Sequence, residues 1–440
     1  MPVPATSART TQDPVHRARL HRRGHVLAAL ACVLALAGCS SDTGSPAGSS
    51  PSEPTRAGSP SPEQSTSTAA GSTESPSATP STSPTASEQS PSSQEPVQCP
   101  ADLTLQEEVG QLFMMGVSGS GPTKAELDAV AATHTGGVVL VGNSQASVDQ
   151  TAEYTDAVRQ ASSGPEGVEL LVGADQEGGQ VQRLSGPGFS DIPSAATQAT
   201  LSDQELRRQA QQWGEELRQA GVTVDLAPVA DVVPASVGEQ NKPIAALGRG
   251  YGSDPQQVSD KVTAFIKGMA AAGEATAVKH FPGLGTVTGN TDFADHVVDT
   301  TTTRDSELLT GFDAAIEAGA NMVMISTAYY TQIDPDHPAA FSDEVITGML
   351  RQDRGYDGVV ISDDLGAAKA VADWAPGERA VKFLQAGGDL IINVEPDSTD
   401  DMIDAVLAKA QQDSDFAERV HQSARRVLDL KTDLGLTDCD

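Results

Sequence analysis

The stretch GEATAVKHFPGLG, residues 273–285, shows the unit from which the fold of this chain is predicted. Gly273 follows a predicted helix, and the apolar run Ala275–Val278 predicts a short strand. That strand ends in a cation beside an imidazole, Lys279 and His280, and a loop rich in glycine follows. Short apolar runs without alternation are typical of parallel strands buried on both faces. The polar pair therefore marks the carboxyl end of a buried parallel strand.

Helix signals precede the other apolar runs in the same way. Residues 202–205, SDQE, form a predicted capping box, and Gly221 stands where the helix that follows would end. Asp254 and Pro255 begin the next predicted helix, with proline at its first position. Helices and strands therefore alternate along the chain.

Eight apolar runs predict eight strands, the number of a closed (β/α) barrel. They are Leu112–Val117, Gly137–Gly142, Leu170–Asp175, Val222–Val229, Ala275–Val278, Ala320–Ser326, Val359–Ser362 and Asp389–Val394. We predict a protein of the α/β class, a single (β/α)8 TIM-like barrel. A doubly wound open sheet would use similar units and is the alternative.

Polar residues stand at the carboxyl ends of these predicted strands, which is the face where such barrels hold their active sites. They are Asp175, Asp231, Lys279, His280, Asp363 and Asn393. One aspartate after a strand is often only a helix cap. Several polar strand ends on one rim indicate a binding site.

The charge of the chain restricts its partners. The formal net charge is -32, with 60 acidic residues against 28 lysines and arginines. Nucleic-acid binding depends on basic patches, so this balance argues against a nucleic-acid partner and favours a neutral ligand. The scattered histidines indicate no metal site, and the chain has no glycine-rich phosphate loop with its lysine.

The N-terminus predicts export. Arginines at 17, 19, 22 and 23 precede the apolar run Val26–Ala37, which is too short to span a bilayer permanently. Cys39 follows small residues, as the lipid-accepting cysteine of a bacterial lipoprotein does. An ordinary secretory signal is the alternative, and the pair Arg22–Arg23 leaves twin-arginine export open.

Composition divides the chain into three parts. Residues 1–38 are the predicted lipoprotein signal peptide, and residues 39–98 are a Ser/Thr/Pro-rich tether that lacks the apolar side chains needed for a core. Residues 99–440 form the barrel domain. The predicted localisation is exported and lipid-anchored on the outer face of the cell membrane, with the lipid as the only membrane contact.

Two of the four cysteines remain for the barrel domain once Cys32 and Cys39 are assigned to the signal segment. Cys99 and Cys439 stand at the two edges of the domain. Because exported proteins meet an oxidising environment, we predict a disulfide between them. Such a bond would bring the two ends of the domain together, as a closed barrel allows.

Four motifs in order resemble those of glycoside hydrolase family 3. They are ADQEGGQVQRL (174–184), LGRGYGSDP (247–255), KHFPGLG (279–285) and GYDGVVISDDLGA (355–367). The likeness is closest to the single-barrel bacterial β-N-acetylglucosaminidases and covers about residues 103–434. It implies a retaining hydrolase that removes terminal β-linked N-acetylglucosamine from peptidoglycan-type or related oligosaccharides. Separately, we expect a monomer that needs no cofactor.

The resemblance also assigns roles to residues. It implies that Asp363 is the nucleophile, while Asp364 beside it is expected to be a cap or a hydrogen-bond partner of the loop. The sugar-binding positions of the family correspond to Asp175, Arg183, Arg249, Lys279 and His280. Carboxylate, guanidinium and ammonium groups suit this work because they hold hydroxyl groups in fixed directions.

The loop after His280 departs from the family. Typical bacterial members carry an Asp-Ser-His sequence whose histidine is the acid/base, but residues 290–292 here are Asn-Thr-Asp, and Leu284 replaces another expected histidine. Gln180 also stands where the family tends to have arginine. The candidates for acid/base are therefore Asp292 first and His296 second, carried on a loop that we expect to be a mobile flap.

The departure leaves other functions open. A non-catalytic carbohydrate-binding lipoprotein would keep the sugar contacts and lack the acid. A β-glucosidase or a glycoside phosphorylase would keep the catalytic residues and change the sugar or the acceptor.

Overall fold

The computed structural model describes residues 103–437. The predicted signal peptide, the tether and the cysteines Cys39, Cys99 and Cys439 lie outside these residues. Within them, no helix is both long enough and apolar enough to cross a membrane.

Eight parallel strands close into a barrel, in the spatial order β1-β13-β12-β9-β7-β6-β3-β2. These strands are β1 (Phe113–Ser118), β2 (Gly137–Val141), β3 (Leu171–Ala174), β6 (Val224–Asp225), β7 (Ala275–Phe281), β9 (Met322–Ile325), β12 (Val359–Asp364) and β13 (Leu390–Asn393). The prediction of a single (β/α)8 barrel is confirmed.

Short strands outside the barrel shape its rim. The hairpin β4 (Gln176–Gly178) and β5 (Val181–Gln182) follows β3 directly. The strands β8 (Val298–Asp299), β10 (Tyr329–Tyr330) and β11 (Asp334–Pro338) form a small separate sheet.

The connecting segments contain ten α-helices within the described residues. They are α1 (Leu105–Gln111), α2 (Lys124–Thr133), α3 (Val148–Ala161), α4 (Ala195–Gln198), α5 (Asp203–Gln219), α6 (Pro255–Ala271), α7 (Thr310–Ala318), α8 (Pro376–Gln385), α9 (Thr399–Gln412) and α10 (Ser414–Asp433). A π-helix, Glu344–Asp353, lies between β11 and β12, and shorter turns of 3-10 helix occur in the loops.

The predicted helix signals hold with one correction. Gly221 and Gly273 have positive φ angles of 76°, and Asp254 caps α6 ahead of Pro255. The side chain of Ser202 caps α5 by accepting a hydrogen bond from the backbone N–H of Glu205. The return bond of a capping box is absent, because the carboxylate of Glu205 binds side chains of its own helix instead.

Two strand boundaries differ from the prediction. The run Val222–Val229 contributes only Val224–Asp225 as a strand, because Pro228 has no N–H to donate within it. Pairing with β7 resumes beyond the proline, where Lys279 N donates to Pro228 O at 3.1 Å. Strand β7 in turn continues to Phe281, so Lys279 and His280 lie within it rather than beyond its end.

The core explains which end of the barrel is free to bind a ligand. Inward-facing side chains such as Met114, Leu171 and Ile361 fill the barrel interior. Val427 and Leu430 of α10, with Leu436, belong to the same buried cluster and close the amino end of the strands. The carboxyl ends of the strands therefore form the open mouth.

Candidate active site

A cavity of about 550 Å³ opens at the carboxyl ends of the strands. It brings together seven of the eight residues proposed from the sequence as catalytic or sugar-binding. They are Asp175, Arg183, Arg249, Lys279, His280, Asp292 and Asp363. The eighth, His296, does not line the cavity: it is exposed, and its ring packs against Tyr329 with 4.4 Å between the ring centroids.

Glu177 joins the two main cations of the site, a role that the sequence analysis missed. Its side chain is 3 % exposed, and its carboxylate accepts hydrogen bonds from Arg249 Nε at 2.8 Å and Arg249 Nη2 at 2.7 Å. Lys279 Nζ lies 2.7 Å from the same carboxylate and 2.6 Å from Asp175. Glu177 therefore fixes the directions in which both cations reach the cavity.

The charges around Glu177 decide its protonation state. Burial alone would raise the pKa of Glu177, but the positive charges of Arg249 and Lys279 outweigh it and hold that pKa well below its ordinary value. The residue stands two positions after Asp175, so alternation along the extended chain places both on one side. That spacing was a signal from which the sequence could have indicated it.

A second carboxylate orients the imidazole of His280. Asp231, which is fully buried, lies 2.8 Å from His280 Nδ1, and it accepts the backbone N–H of His280 at 3.2 Å. The other ring nitrogen, Nε2, lies 3.4 Å from Arg249 Nη2. Asp231 therefore fixes the direction in which the imidazole faces the cavity. The sequence placed Asp231 on the rim without this role.

Asp363 and Asp364 stand side by side and behave differently. Asp364 accepts three backbone hydrogen bonds, from Gly366 at 2.9 Å, Ala367 at 2.8 Å and Val394 at 3.1 Å. It therefore ties down its loop, as expected of it. The carboxylate of Asp363 accepts one hydrogen bond, from the N–H of Asp364 at 2.9 Å, and faces the cavity.

The carboxyl groups of Asp363 and Asp292 both have raised pKa values. Burial raises the pKa of Asp363, and the charge of Asp292 raises it further, while His280 and Lys279 oppose the increase. Desolvation also raises the pKa of Asp292, with His280 and Arg249 opposing it. The charges of Asp364 and Asp175 raise the pKa of Asp292 further.

The first part of the loop, residues 282–287, is packed, which corrects the expectation that its glycines serve motion rather than packing. Leu284 is 2 % exposed, and its N–H donates to Asp231 at 2.9 Å. The buried side chain of Asn241 donates to the carbonyls of Leu284 and Val287 at 2.6 and 2.9 Å. A Cβ on Gly285 would stand 1.8 Å from the carbonyl oxygen of Val232, so this glycine allows a close approach.

Three other rim residues have local partners. Arg183 Nη1 donates to Asn143 at 3.0 Å, and Arg183 Nε lies 3.9 Å from Asp175. Gln180 is exposed and donates to Leu247 O at 3.3 Å. Asn393 turns away from the cavity and donates to Ser398 and Thr399. Asn393 is therefore a loop anchor.

The arrangement suits a hydroxyl-rich ligand. Oriented carboxylates and cations line one cavity at the mouth of a (β/α)8 barrel, where barrel enzymes hold their active sites. Within residues 103–437, no group of three or more His, Cys, Asp or Glu side chains is placed to hold a metal ion.

Comparison with known proteins identifies the family. The family described as Glycosyl hydrolase family 3 N terminal domain matches residues 104–430. The chain therefore belongs to glycoside hydrolase family 3, and it is a glycoside hydrolase.

Individual relatives agree with this assignment. A β-hexosaminidase of Stenotrophomonas maltophilia is 34% identical over 308 residues, which cover 68% of this chain and 88% of the relative. The crystal structure of a β-N-acetylhexosaminidase from Beutenbergia cavernae has 47% identity and a TM-score of 0.74, covering 76% of this chain and 99% of that one. A family 3 β-N-acetylglucosaminidase from Paenibacillus has 30% identity and a TM-score of 0.68, covering 76% and 63%.

Proposed function

We propose that the protein is a retaining β-N-acetylhexosaminidase that removes terminal β-linked N-acetylglucosamine from peptidoglycan-type or related oligosaccharides. The observation that carries the proposal is the pair of carboxyl groups, Asp363 and Asp292, that line one cavity. Retaining hydrolysis needs two such groups, one to attack the anomeric carbon and one to transfer a proton. The choice of N-acetylglucosamine as the sugar rests on the names of the relatives, which are β-hexosaminidases and β-N-acetylglucosaminidases.

The environments of the two carboxyls support different roles. Asp363 accepts a hydrogen bond from Asp364 N, which favours its ionised form as the nucleophile. Within residues 103–437 the carboxyl oxygens of Asp292 accept no hydrogen bond, so its neutral form is less disfavoured there. We assign the acid/base role to Asp292, whose pKa is raised by desolvation.

The reaction then has two steps. Asp292 protonates the glycosidic oxygen while Asp363 attacks the anomeric carbon, so the C–O bond breaks and the leaving group departs as an alcohol. A water, deprotonated by Asp292, then attacks the same carbon and releases Asp363. Five side chains hold the sugar hydroxyls during both steps, namely those of Asp175, Arg183, Arg249, Lys279 and His280.

Turnover of aryl glycosides tests the enzyme and its nucleophile. We expect an aryl β-N-acetylglucosaminide to be hydrolysed faster than an aryl β-glucoside, and Asp363→Ala to lose at least a thousandfold in kcat. Failure of the folded wild type on both substrates would favour the carbohydrate-binding lipoprotein. Formation of a sugar 1-phosphate in phosphate buffer would favour the phosphorylase.

The acid/base assignment has a separate test. Asp292→Asn should lose much more activity on a disaccharide than on an aryl glycoside, because an aryl leaving group needs little protonation. Azide, which needs no general base, should restore turnover and give the β-glycosyl azide. If His296→Ala shows this behaviour and Asp292→Asn does not, the assignment to Asp292 is wrong.

The pH dependence follows from the raised pKa of Asp292. The protonated acid is the active form, so activity on a disaccharide should fall as the pH rises through that pKa, above the ordinary value of 3.8. Asp292→Asn should lack this alkaline limb. An alkaline limb that persists unchanged in Asp292→Asn would contradict the role.

We also propose the cellular setting that the sequence predicts. Residues 1–38 act as a signal peptide, Cys39 carries lipid, and residues 39–98 tether a monomeric barrel of residues 99–440 to the outer face of the cell membrane. Cys39→Ser should move the protein from the membrane to the soluble fraction. Cys99→Ser should lower the melting temperature if Cys99 and Cys439 are bonded, whereas two titratable thiols in the wild type would refute the bond.

A further inference from the structure

Phe293 occupies an unusual position for an aromatic side chain. It is 80 % exposed, and no other large hydrophobic side chain within residues 103–437 is comparably exposed. A lone exposed apolar side chain is ordinary on a protein surface. This one, however, lines the active-site cavity and directly follows Asp292. Since it contributes little to the core, its location points to contact with a ligand.

The turn that carries Phe293 is held in place. The N–H groups of Phe293 and Ala294 both donate to the carbonyl of Asn290, at 3.1 and 2.9 Å. Thr291 is 3 % exposed, and its carbonyl accepts the N–H of Ala370 at 3.1 Å. The ring is therefore presented on an anchored turn, and a ligand that meets it orders little additional chain.

The chemistry of the leaving group places it beside this ring. A general acid must lie within hydrogen-bond distance of the glycosidic oxygen. The leaving group is bonded to that oxygen on the side away from the sugar in the cavity. If Asp292 is the acid, the leaving group lies beside Phe293, which follows Asp292 at the mouth of the cavity.

A sugar is a suitable partner for such a ring. A β-linked pyranose of the gluco series carries its ring hydroxyls equatorially and its C–H bonds axially, so both faces of the ring are apolar. Aromatic side chains bury large apolar areas and favour flat partners. A leaving group of one atom, such as fluoride, has no flat face and gains no binding energy from the ring.

We propose that Phe293 is the platform of a leaving-group subsite, on which the sugar released by the enzyme stacks. This proposal rests on the proposed function, and it deepens it by assigning the side chain that contacts the leaving sugar. The contact would hold the glycosidic oxygen near Asp292.

The test compares two substrates on the full-length protein and four variants at Phe293. One substrate is N,N′-diacetylchitobiose, whose leaving group is a sugar, and the other is N-acetyl-β-glucosaminyl fluoride, whose leaving group is one atom. Phe293→Ala should lower kcat/KM for the disaccharide about tenfold and change that for the fluoride less than twofold. Phe293→Leu keeps an apolar side chain without a flat face and should resemble Phe293→Ala. Phe293→Tyr and Phe293→Trp keep a ring and should stay near the wild type.

The outcomes separate this subsite from the proposed function. If the wild type hydrolyses neither substrate, the function itself fails. If the wild type is active and Phe293→Ala leaves the disaccharide unaffected, the subsite is refuted. Equal losses on both substrates, or wild-type activity of Phe293→Leu on the disaccharide, would also refute it, since the aromatic face would then have no specific part.

Discussion

Glu177→Gln tests the ion network beneath the cavity, because it removes one negative charge and keeps the shape of the side chain. In the wild type the buried carboxylate receives two hydrogen bonds from Arg249 and one from Lys279. Removal of one partner of a buried ion pair typically costs about 3–5 kcal/mol. Lys279 keeps Asp175 at 2.6 Å, and Arg249 keeps the carbonyl of Pro243 at 2.9 Å, so we expect the lower end, about 3 kcal/mol.

The expected change can be measured by thermal unfolding. A domain of about 335 residues has an unfolding entropy of roughly 0.7 kcal/mol per kelvin, so a loss of about 3 kcal/mol lowers Tm by about 4 °C. Folded Glu177 has a lowered pKa, so its contribution is complete above the ordinary value of 4.5 and is lost on acidification below it. The difference in Tm between variant and wild type should therefore narrow in acid.

The same substitution should reduce catalysis, since misplacement of binding groups by about 1 Å costs on the order of a hundredfold. We expect kcat/KM to fall by about that factor for every substrate. Glu205→Gln is the matched control: Glu205 also accepts two hydrogen bonds from one arginine, Arg208, but at the exposed surface. It should change neither Tm nor activity. If Glu177→Gln behaves like this control, the reasoning about the network is refuted.

Two further variants test buried charges away from the cavity. Asp389 is fully buried among Arg351, Arg419 and Arg426, so Asp389→Ala should destabilise the barrel by about 3–5 kcal/mol in denaturant unfolding, and a loss below about 1 kcal/mol would contradict this. Burial lowers the pKa of Lys431 to about 7, so the unfolded chain binds more protons and wild-type stability should rise between about pH 7 and 10. Lys431→Met removes the titrating group, so the rise in stability between about pH 7 and 10 should be absent from this variant, whereas a rise that persists would refute the titration.

The sequence predicted the barrel because buried parallel strands leave a simple signal. Each is a short apolar run, and its carboxyl end is marked by a change to polar residues, as at Asp175 and Asp363. The same signal cannot report hydrogen bonding inside a run, so the shortening of the fourth strand at Pro228 and the extension of β7 through His280 were missed.

Site residues were predicted where their type alone indicated chemistry, and they were missed where a partner defines the role. Glu177 acts through Arg249 and Lys279, which lie 72 and 102 positions away along the chain, so its spacing from Asp175 could place it on the rim but could not name its partners. The glycines of residues 282–287 were misread for a related reason. A glycine permits motion and close approach equally, and the carbonyl of Val232 that decides between them at Gly285 is distant in sequence.

The ion network around Glu177 and the two carboxyl groups that face the cavity, Asp292 and Asp363, form one electrostatic arrangement. Asp175 and Glu177 neutralise Lys279 and Arg249, so these cations keep their directions without making the cavity floor strongly positive. A positive floor would lower the pKa of both Asp292 and Asp363 and would leave no proton for the leaving group. With the cations compensated, desolvation keeps the pKa values of both carboxyls raised. Glu177→Gln should therefore also shift the alkaline limb of activity to lower pH, and an unmoved limb would show that Glu177 acts through orientation alone.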